Sequence, residues 1–211
     1  MRSNQRSEAS FTTTARRDQL VQAAVQVLSD DGYARTSIAA IADYVGVSKG
    51  VVSYHFADKA DLLQGVVDRI LGEAGRWMAD RVAGAQSYTE ALHRYIGANL
   101  SYLQQHRSAA VALTEVLLNA RTVDRLSSVW DRAQTTAISE LEQLFVGGQR
   151  AGEFGPVPAR TLAISLRATI DAASTLARHD PDFDFERFGS ELTELYDRAI
   201  SGGGSSADAG K

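Results

Sequence analysis

SIAAIADYVGVSKGVVSYHF, residues 37–56, is the stretch that decides the fold class of this chain. Apolar residues recur at helical spacing in its first half, Gly46 interrupts it, and its second half carries hydroxyl, amine and imidazole side chains. Neither short helix can form a core by itself, so we expect the pair to be held against a partner. Two short helices joined by a glycine turn are typical of the helix-turn-helix that enters the major groove of DNA.

The second predicted helix, from Lys49 to about His55, offers groups that suit DNA. A helix N-terminus capped by Ser48 and the charge of Lys49 can hold phosphate, and Gly50 lets another backbone approach closely. Val51 can touch a thymine methyl group. The candidate DNA-contacting residues, which share this segment and its two flanks, are Ser37, Ser48, Lys49, Gly50, Val51, Ser53, Tyr54, His55 and Lys59.

Packing is the alternative interpretation of the aromatic residues in this stretch. We expect Val52 and Phe56 in the core, because they continue the apolar seam between the two short helices. For Tyr54 and His55 the alternative to DNA contact is a buried aromatic corner beside Phe56. Tyr44 has two possible roles: it covers part of the apolar surface of the first short helix, or it contacts DNA.

Composition excludes several classes of protein. The chain has 211 residues, of which 44% are hydrophobic, and no run of eighteen apolar residues, so we expect no membrane span. It lacks cysteine and has no apolar stretch near its N-terminus, which favours a cytoplasmic protein. His93 and His106 are thirteen residues apart and have no paired carboxylate at helical spacing, so we expect neither a metal site nor a cofactor.

Charge is distributed unevenly along the chain. The net charge is −4, yet residues 1–60 hold seven Lys or Arg against six acidic residues, and residues 61–211 hold fifteen against twenty. The first seventeen residues carry four Arg and one Glu. This asymmetry favours an N-terminal module that faces an anion, attached to an acidic body.

Helical periodicity continues through the rest of the chain, and no strand pattern competes with it. We predict an all-α protein of about nine helices: a disordered arm over 1–11, a three-helix DNA-binding domain over 12–60, and a helical ligand-binding and dimerisation domain over 61–201. A flexible tail follows at 202–211. Gly147 and Gly148 are expected to end the long helix that begins near residue 122.

Three stretches resemble the DNA-binding domain of TetR-family transcriptional regulators: RRDQLVQAA (16–24), DGYARTSIAAIA (31–42) and VGVSKGVVSYHFADKADL (45–62). The resemblance covers about residues 16–63. It implies a homodimer whose third helices enter successive major grooves of a near-palindromic operator. It places Lys49, Gly50, Val51, Tyr54 and His55 at DNA-contact positions and Lys59 at a phosphate contact.

Two residues depart from the family's usual pattern. Val51 stands where Thr or Ser is usual, and it therefore loses a hydroxyl and reads a methyl group instead. Ser53 stands where a Tyr usually packs against the DNA backbone, so we expect Tyr54 to take over that aromatic contact.

The larger half is interpreted through the same resemblance. A mainly apolar pocket with a few polar anchors would bind an unidentified, largely apolar effector, and its candidate residues are Trp77, Tyr95, Asn99, Tyr102, His106, Trp130 and Gln134. A two-fold pairing of the last two helices would form the dimer interface, and its candidates are Leu162, Leu166, Thr169, Ile170, Ala173, Phe188, Leu192 and Leu195. Core packing within one chain is the alternative for both sets. Arg167 with Asp171 is expected to form an intrahelical or intersubunit ion pair rather than an anchor for an acidic ligand.

The predicted function is a repressor that a small-molecule effector releases from double-stranded operator DNA. An activator of the same family and a non-regulatory architectural DNA-binding protein are the alternatives. We do not expect an enzyme, because the sequence has no nucleophile elbow, P-loop, zinc-protease motif or cysteine.

Overall fold

The computed structural model describes residues 2–119 and 124–201, with side chains over 13–119 and 128–201. All regular structure in these ranges is helical, which confirms the predicted all-α class. The nine helices of the described residues are α1 Arg2–Asp31, α2 Ile38–Val45, α3 Lys49–His55, α4 Lys59–Val82, α5 Tyr88–Gln105, α6 Arg107–Asn119, α7 Asp124–Ala151, α8 Ala159–His179 and α9 Phe185–Ser201.

Helix α1 is longer than the sequence pattern predicted. We expected a disordered arm over 1–11 and a helix from about residue 14, but α1 begins at Arg2. Residues 2–31 contain no proline or glycine, so nothing in the polar segment stops helical hydrogen bonding from continuing toward the N-terminus. Its C-terminal end is set by Gly32, which has φ +79° and whose N–H donates to Leu28 O at 3.1 Å. The predicted tail over 202–211 lies outside the described residues.

The chain divides into two compact units, and the first comprises residues 1–72 and 108–129. Its core joins apolar side chains from α1, α2, α3, α4 and α6, and the largest fully buried ones are Leu20, Leu28, Ile41, Phe56, Leu62, Leu63 and Ile70. This unit does not end at residue 60, where the sequence analysis set a domain boundary. Helix α4 continues unbroken past that point, and Ala112 and Val116 of α6 are buried in the same core.

The second compact unit comprises residues 73–107 and the chain from 130 onward. Its core is built by α5, α7, α8 and α9, and its fully buried side chains include Leu92, Ile96, Leu141, Phe145, Leu166 and Ile170. Arg107 also closes this unit, because its guanidinium donates to backbone oxygens at the end of α8, among them Pro181 O at 2.9 Å.

Helix α7 runs through the two glycines that were expected to end it. It ends instead at Ala151, and Gly152 follows with φ +76°. A Cβ at Gly147 would lie 2.3 Å from a ring carbon of Tyr88, and one at Gly148 would lie 2.2 Å from the ring of Phe154. The glycines therefore let two aromatic rings pack directly on the backbone of a continuous helix. None of the helices in the described part of the chain combines the length and apolarity that a membrane crossing needs.

Candidate nucleic-acid interface

Helix α2 and the turn after it are fixed by their end groups. Ser37 caps α2 through its Oγ, which accepts the N–H of Ala40 at 3.1 Å. Gly46 adopts the left-handed conformation with φ +73°, and Val47 N–H donates to Ala42 O at 2.9 Å. Glycine is needed here because side chains with a Cβ rarely adopt this backbone. The turn therefore sets the angle at which α3 leaves α2.

Helix α3 is anchored by two apolar side chains. Val52 is fully buried and Phe56 is 1% exposed, which confirms the prediction that both belong to the core. The guanidinium of Arg17 lies 4.4 Å from the centroid of the Phe56 ring. One face of α3 is thus held by the core of the first unit, at the middle of the helix and directly after its last residue.

The other face of α3 is open to solvent. Tyr54 is 78% exposed, and Lys49, Gly50 and Ser53 are exposed as well, while His55 is half-buried. The Tyr54 and His55 rings meet edge to face with centroids 5.1 Å apart. Tyr54 is therefore not part of a buried aromatic corner, whereas the neighbouring Phe56 is buried. Val51 is half-buried, and Tyr44 of α2 is 57% exposed.

Gly50 is a helical glycine that the fold itself does not require. Its φ is not positive, and the nearest atom that a Cβ would meet is Ser48 Oγ at 3.7 Å. Glycine inside a helix costs about 0.5–1 kcal/mol relative to alanine. A close approach by something outside the chain gives a physical reason to keep it. Ser48 itself precedes α3 but makes no side-chain capping hydrogen bond.

Lys59 is held by the protein rather than extended into solvent. Its Nζ donates to Tyr33 O at 2.7 Å and lies 3.8 Å from the centroid of the Tyr33 ring. Burial lowers the pKa of Lys59 below its ordinary value. A capping-box-like pair lies beside it, since Asp61 N–H donates to Asp58 Oδ1 at 2.8 Å and Ala57 N–H donates to Asp61 Oδ2 at 3.0 Å.

Sequence reasoning missed two residues that shape this unit, Tyr33 and Glu115. Tyr33 lies in the turn between α1 and α2, and Glu115 of α6 is 5% exposed and accepts the N–H of Tyr33 at 2.9 Å. They are 82 residues apart in the chain, so no local pattern could connect them.

Family comparison decides how this arrangement is to be understood. Residues 20–66 match the model of the bacterial regulatory proteins of the tetR family, and residues 88–201 match the C-terminal domain of BetI-type transcriptional repressors. The second match alone covers more than half of the chain. The chain belongs to the TetR family of bacterial regulatory proteins. It is a helix-turn-helix transcriptional regulator, as the resemblance of the recognition helix implied.

Individual relatives agree with this TetR-family assignment. The HTH-type transcriptional regulator BetI 1 of Chromohalobacter salexigens is 34% identical over 121 residues, which span 56% of this chain and 60% of that protein. The nucleoid occlusion factor SlmA of Vibrio campbellii is 26% identical over 85% of this chain and 95% of its own length.

Solved structures show the same fold. A TetR transcription regulator from Haloarcula marismortui has a TM-score of 0.78 at 24% identity, covering 89% of this chain and 98% of its own. The regulator FadR from Bacillus subtilis, solved in complex with stearoyl-CoA, has a TM-score of 0.72 at 23% identity, covering 87% and 97%.

Three predicted pocket residues of this TetR-family chain form an aromatic cluster in the second unit: Trp77, Tyr102 and His106. The Tyr102 and His106 rings stack with centroids 4.3 Å apart, and the Trp77 ring meets His106 edge to face at 5.1 Å. Trp77 Nε1–H donates to Ala98 O at 3.0 Å, and Tyr102 is 6% exposed. These rings pack mainly against one another.

Three further predicted pocket residues converge on the ion pair between Arg167 and Asp171, and we call these five the Arg167 cluster: Tyr95, Asn99, Gln134, Arg167 and Asp171. Arg167 Nη1 donates to Tyr95 Oη at 3.3 Å and to Asn99 Oδ1 at 3.2 Å, and Gln134 donates to Asp171. Burial by itself would lower the pKa of Arg167, but the charges and hydrogen bonds of Asp171 and Tyr95 together outweigh it and raise the pKa. Trp130, the remaining pocket candidate, is half-buried on α7.

The predicted dimer-interface residues divide by helix face. Four of them have side chains inside the chain's own core, at most 4% exposed, and are therefore not available to a second copy: Leu166, Ile170, Ala173 and Leu192. Leu162, Thr169 and Phe188 are half-buried, and Leu195 is 55% exposed. Period alone could not distinguish the inner from the outer stripe, because α8 carries small and apolar residues on both.

Proposed function

We propose that this TetR-family regulator is a repressor that binds a near-palindromic DNA operator as a homodimer and leaves it when a small-molecule effector binds. DNA as the partner places its action in the cytoplasm. The observation that carries the proposal is the two-sided character of α3. Val52 and Phe56 anchor one side, while Lys49, Ser53 and the 78% exposed Tyr54 present donors on the other.

The homodimer proposal rests on an exposed stripe of α8 rather than on the residues that face the core. Ile164, Ala168, Ala172 and Leu176 follow one another at intervals of four residues, and all are exposed. Small residues at the centre of such a stripe let two helices approach closely. Leu195 adds an exposed apolar side chain from α9. A two-fold pairing of these faces would bury side chains that a single chain leaves in water.

The dimer is tested by light scattering on the wild type and on Leu176→Glu/Leu195→Glu. We expect a dimeric wild type and a monomeric double variant, because two buried like charges oppose pairing. Thr136→Glu, which adds a charge at an exposed residue of a different helix, α7, is the control. A variant that remains dimeric with both glutamates would rule out this face.

The effector proposal concerns the second unit. Tyr95, Asn99 and Gln134 lie on two helices, α5 and α7, and converge on the Arg167–Asp171 pair of α8 beside an apolar core. We propose that this cluster receives the polar end of a largely apolar effector. Stearoyl-CoA, present in the FadR structure, belongs with aromatic metabolites in a thermal-shift screen, in which a ligand that binds the folded state raises Tm.

Operator binding is tested by fluorescence anisotropy on the DNA upstream of the protein's own gene. Lys49→Ala, Tyr54→Ala and His55→Ala are each expected to weaken binding by about 1–3 kcal/mol if they contact bases. Removing a phosphate contact at Lys49 would also reduce the salt dependence of log K by about one unit. Arg132→Ala, which removes an exposed charge from α7, is the control.

Two outcomes would contradict the DNA assignment. The first is operator binding that none of the three substitutions changes. The second is binding that shows no sequence preference and disappears in modest salt, which is the behaviour of an architectural protein. Transcription in vitro then separates repression from activation.

A further inference from the structure

The turn between α1 and α2 is held at both sides of a single residue, Tyr33. The N–H of Tyr33 donates to Glu115 Oε2 at 2.9 Å, and its carbonyl oxygen accepts from Lys59 Nζ at 2.7 Å. The turn is also closed by Thr36, whose Oγ1 donates to Gly32 O at 2.9 Å. Thr36 and Glu115 are the polar residues that the described part of the chain buries most completely, and both bind this turn.

Glu115 is placed for this contact by the geometry of α6. Its carboxylate reaches the turn beside Gly32, where a Cβ would lie in ordinary contact at 3.4 Å from Glu115 Oε2. Asn119, one helical turn later, donates to Glu115 O at 2.9 Å. Burying a carboxylate is costly unless it is hydrogen-bonded, so a glutamate at this point of a core needs a specific task.

Lys59 connects the same turn to the recognition helix. It is the first residue of α4, and only Phe56, Ala57 and Asp58 separate it from the end of α3. Phe56 is buried, which makes this short connection stiff. The Lys59 amine donates a hydrogen bond to the Tyr33 carbonyl and lies over the Tyr33 ring. A displacement of Tyr33 would therefore move Lys59, and with it the C-terminal end of α3.

We propose that Glu115 is a positioning residue for operator binding: it fixes the α1–α2 turn through Tyr33, and Lys59 passes that position on to α3. The inference rests on the proposed function. It makes α6 part of the DNA-reading apparatus, although α6 lies more than fifty residues beyond the helix-turn-helix in sequence. A shift of α6 that withdrew the carboxylate would loosen the recognition helix without touching DNA.

The test compares Glu115→Leu, which removes the acceptor, with Glu115→Gln, which keeps an oxygen at nearly the same place. We expect operator affinity to fall about ten-fold in Glu115→Leu and to stay within about three-fold of wild type in Glu115→Gln, because glutamine keeps a neutral oxygen that can accept the Tyr33 N–H, whereas leucine leaves that donor without its partner. The salt dependence of binding should stay unchanged, since no phosphate contact is removed. Hydrogen exchange at the Tyr33 amide should accelerate in Glu115→Leu alone.

Val116→Ala is the matched control, because it removes buried packing from the next residue of α6 and leaves the carboxylate in place. It should lower Tm while operator affinity changes by less than about two-fold. If Glu115→Leu does not fold, Glu115→Asp tests the same point by withdrawing the oxygen by one methylene.

Three results would overturn the inference. Faster exchange at Tyr33 with unchanged operator affinity would show that the turn does not position α3. An equal loss of affinity in Val116→Ala would assign the effect to general destabilisation. A wild-type protein that binds no upstream DNA would contradict the proposed function itself, whereas wild-type binding that Glu115→Leu leaves intact contradicts this inference alone.

Discussion

Residues 37–56 and the Arg167 cluster are both rich in polar groups, but the fold uses them in opposite ways. Along α3 the structure turns Lys49, Ser53 and Tyr54 toward solvent on a helix whose other face is anchored. In the second unit, Arg167 and Asp171 form hydrogen bonds with each other and with neighbouring side chains. Polar groups that a rigid element holds outward are ready for an external partner. Paired, half-buried ones first stabilise the unit that contains them.

The largest effect on stability should come from comparing a buried residue that anchors α3 with an exposed residue of the same helix. Phe56→Ala is expected to destabilise the protein by about 3–5 kcal/mol, because a fully buried aromatic side chain is removed. Tyr54→Ala should change stability by less than about 0.5 kcal/mol, since its ring is mostly in water. Urea denaturation of both variants measures the contrast. Equal losses would mean that the two faces of α3 are not distinct.

Breaking the Arg167 cluster should have the next largest effect. Asp171→Ala leaves the mostly buried guanidinium of Arg167 without its main counter-charge, and we expect a loss of about 3 kcal/mol. Arg167→Met/Asp171→Leu should recover most of that loss, because two apolar side chains replace the pair without an unpaired charge. Thermal unfolding with a double-mutant cycle measures it. A double variant as unstable as Asp171→Ala would mean that the network, not the charge balance, matters.

The close packing on α7 predicts a smaller change. Gly148→Ala would put a Cβ 2.2 Å from a ring carbon of Phe154, so we expect a loss of about 1–3 kcal/mol as the ring is displaced. Gly97→Ala, in α5 where nothing lies within 4 Å, should instead gain about 0.5–1 kcal/mol from helix propensity. Denaturant midpoints of the two variants measure the difference in stability. A gain in stability at both positions would contradict the close packing of Phe154 on Gly148.

A further small stability change is the most informative about DNA. Gly50→Ala should stabilise the free protein by about 0.5–1 kcal/mol, because the fold leaves room for a Cβ at this helical position. It should at the same time weaken operator binding about ten-fold, since a methyl group would intrude where we propose that the DNA backbone approaches. Opposite signs in the melting and anisotropy measurements sharpen the contrast between the two regions. An unchanged operator affinity would remove Gly50 from the interface.

The fold and the DNA-facing helix were largely predictable, and the physical reason is locality. Helical period, the Ser37 cap and the glycines at 32 and 46 act over a few residues, so they can be read directly from the sequence. Val52 and Phe56 followed from the same period and are confirmed. Helix α1 was set too short because polarity was taken as disorder, although no breaker stops the helix.

Lys59 and the dimer candidates were harder, because each depends on what lies across from it. Lys59 carries the motif of a phosphate-binding lysine, yet the structure places its amine on Tyr33. Leu166 and Leu192 have the composition of an interface and lie in the chain's own core. On an amphipathic helix with small residues all round, only the packing partners decide which stripe faces inward.

The sequence by itself determined an all-α fold with an exposed recognition helix, because those features rest on local hydrogen bonding and periodicity. The TetR family followed from the resemblance of residues 16–63. The tertiary structure alone decided that α6 packs with the DNA-binding helices, that Glu115 reaches Tyr33 across 82 residues, and that the Arg167–Asp171 pair binds three of the predicted pocket residues. Contacts of that kind form only when the apolar faces of distant helices are buried together, and no spacing along the chain encodes them.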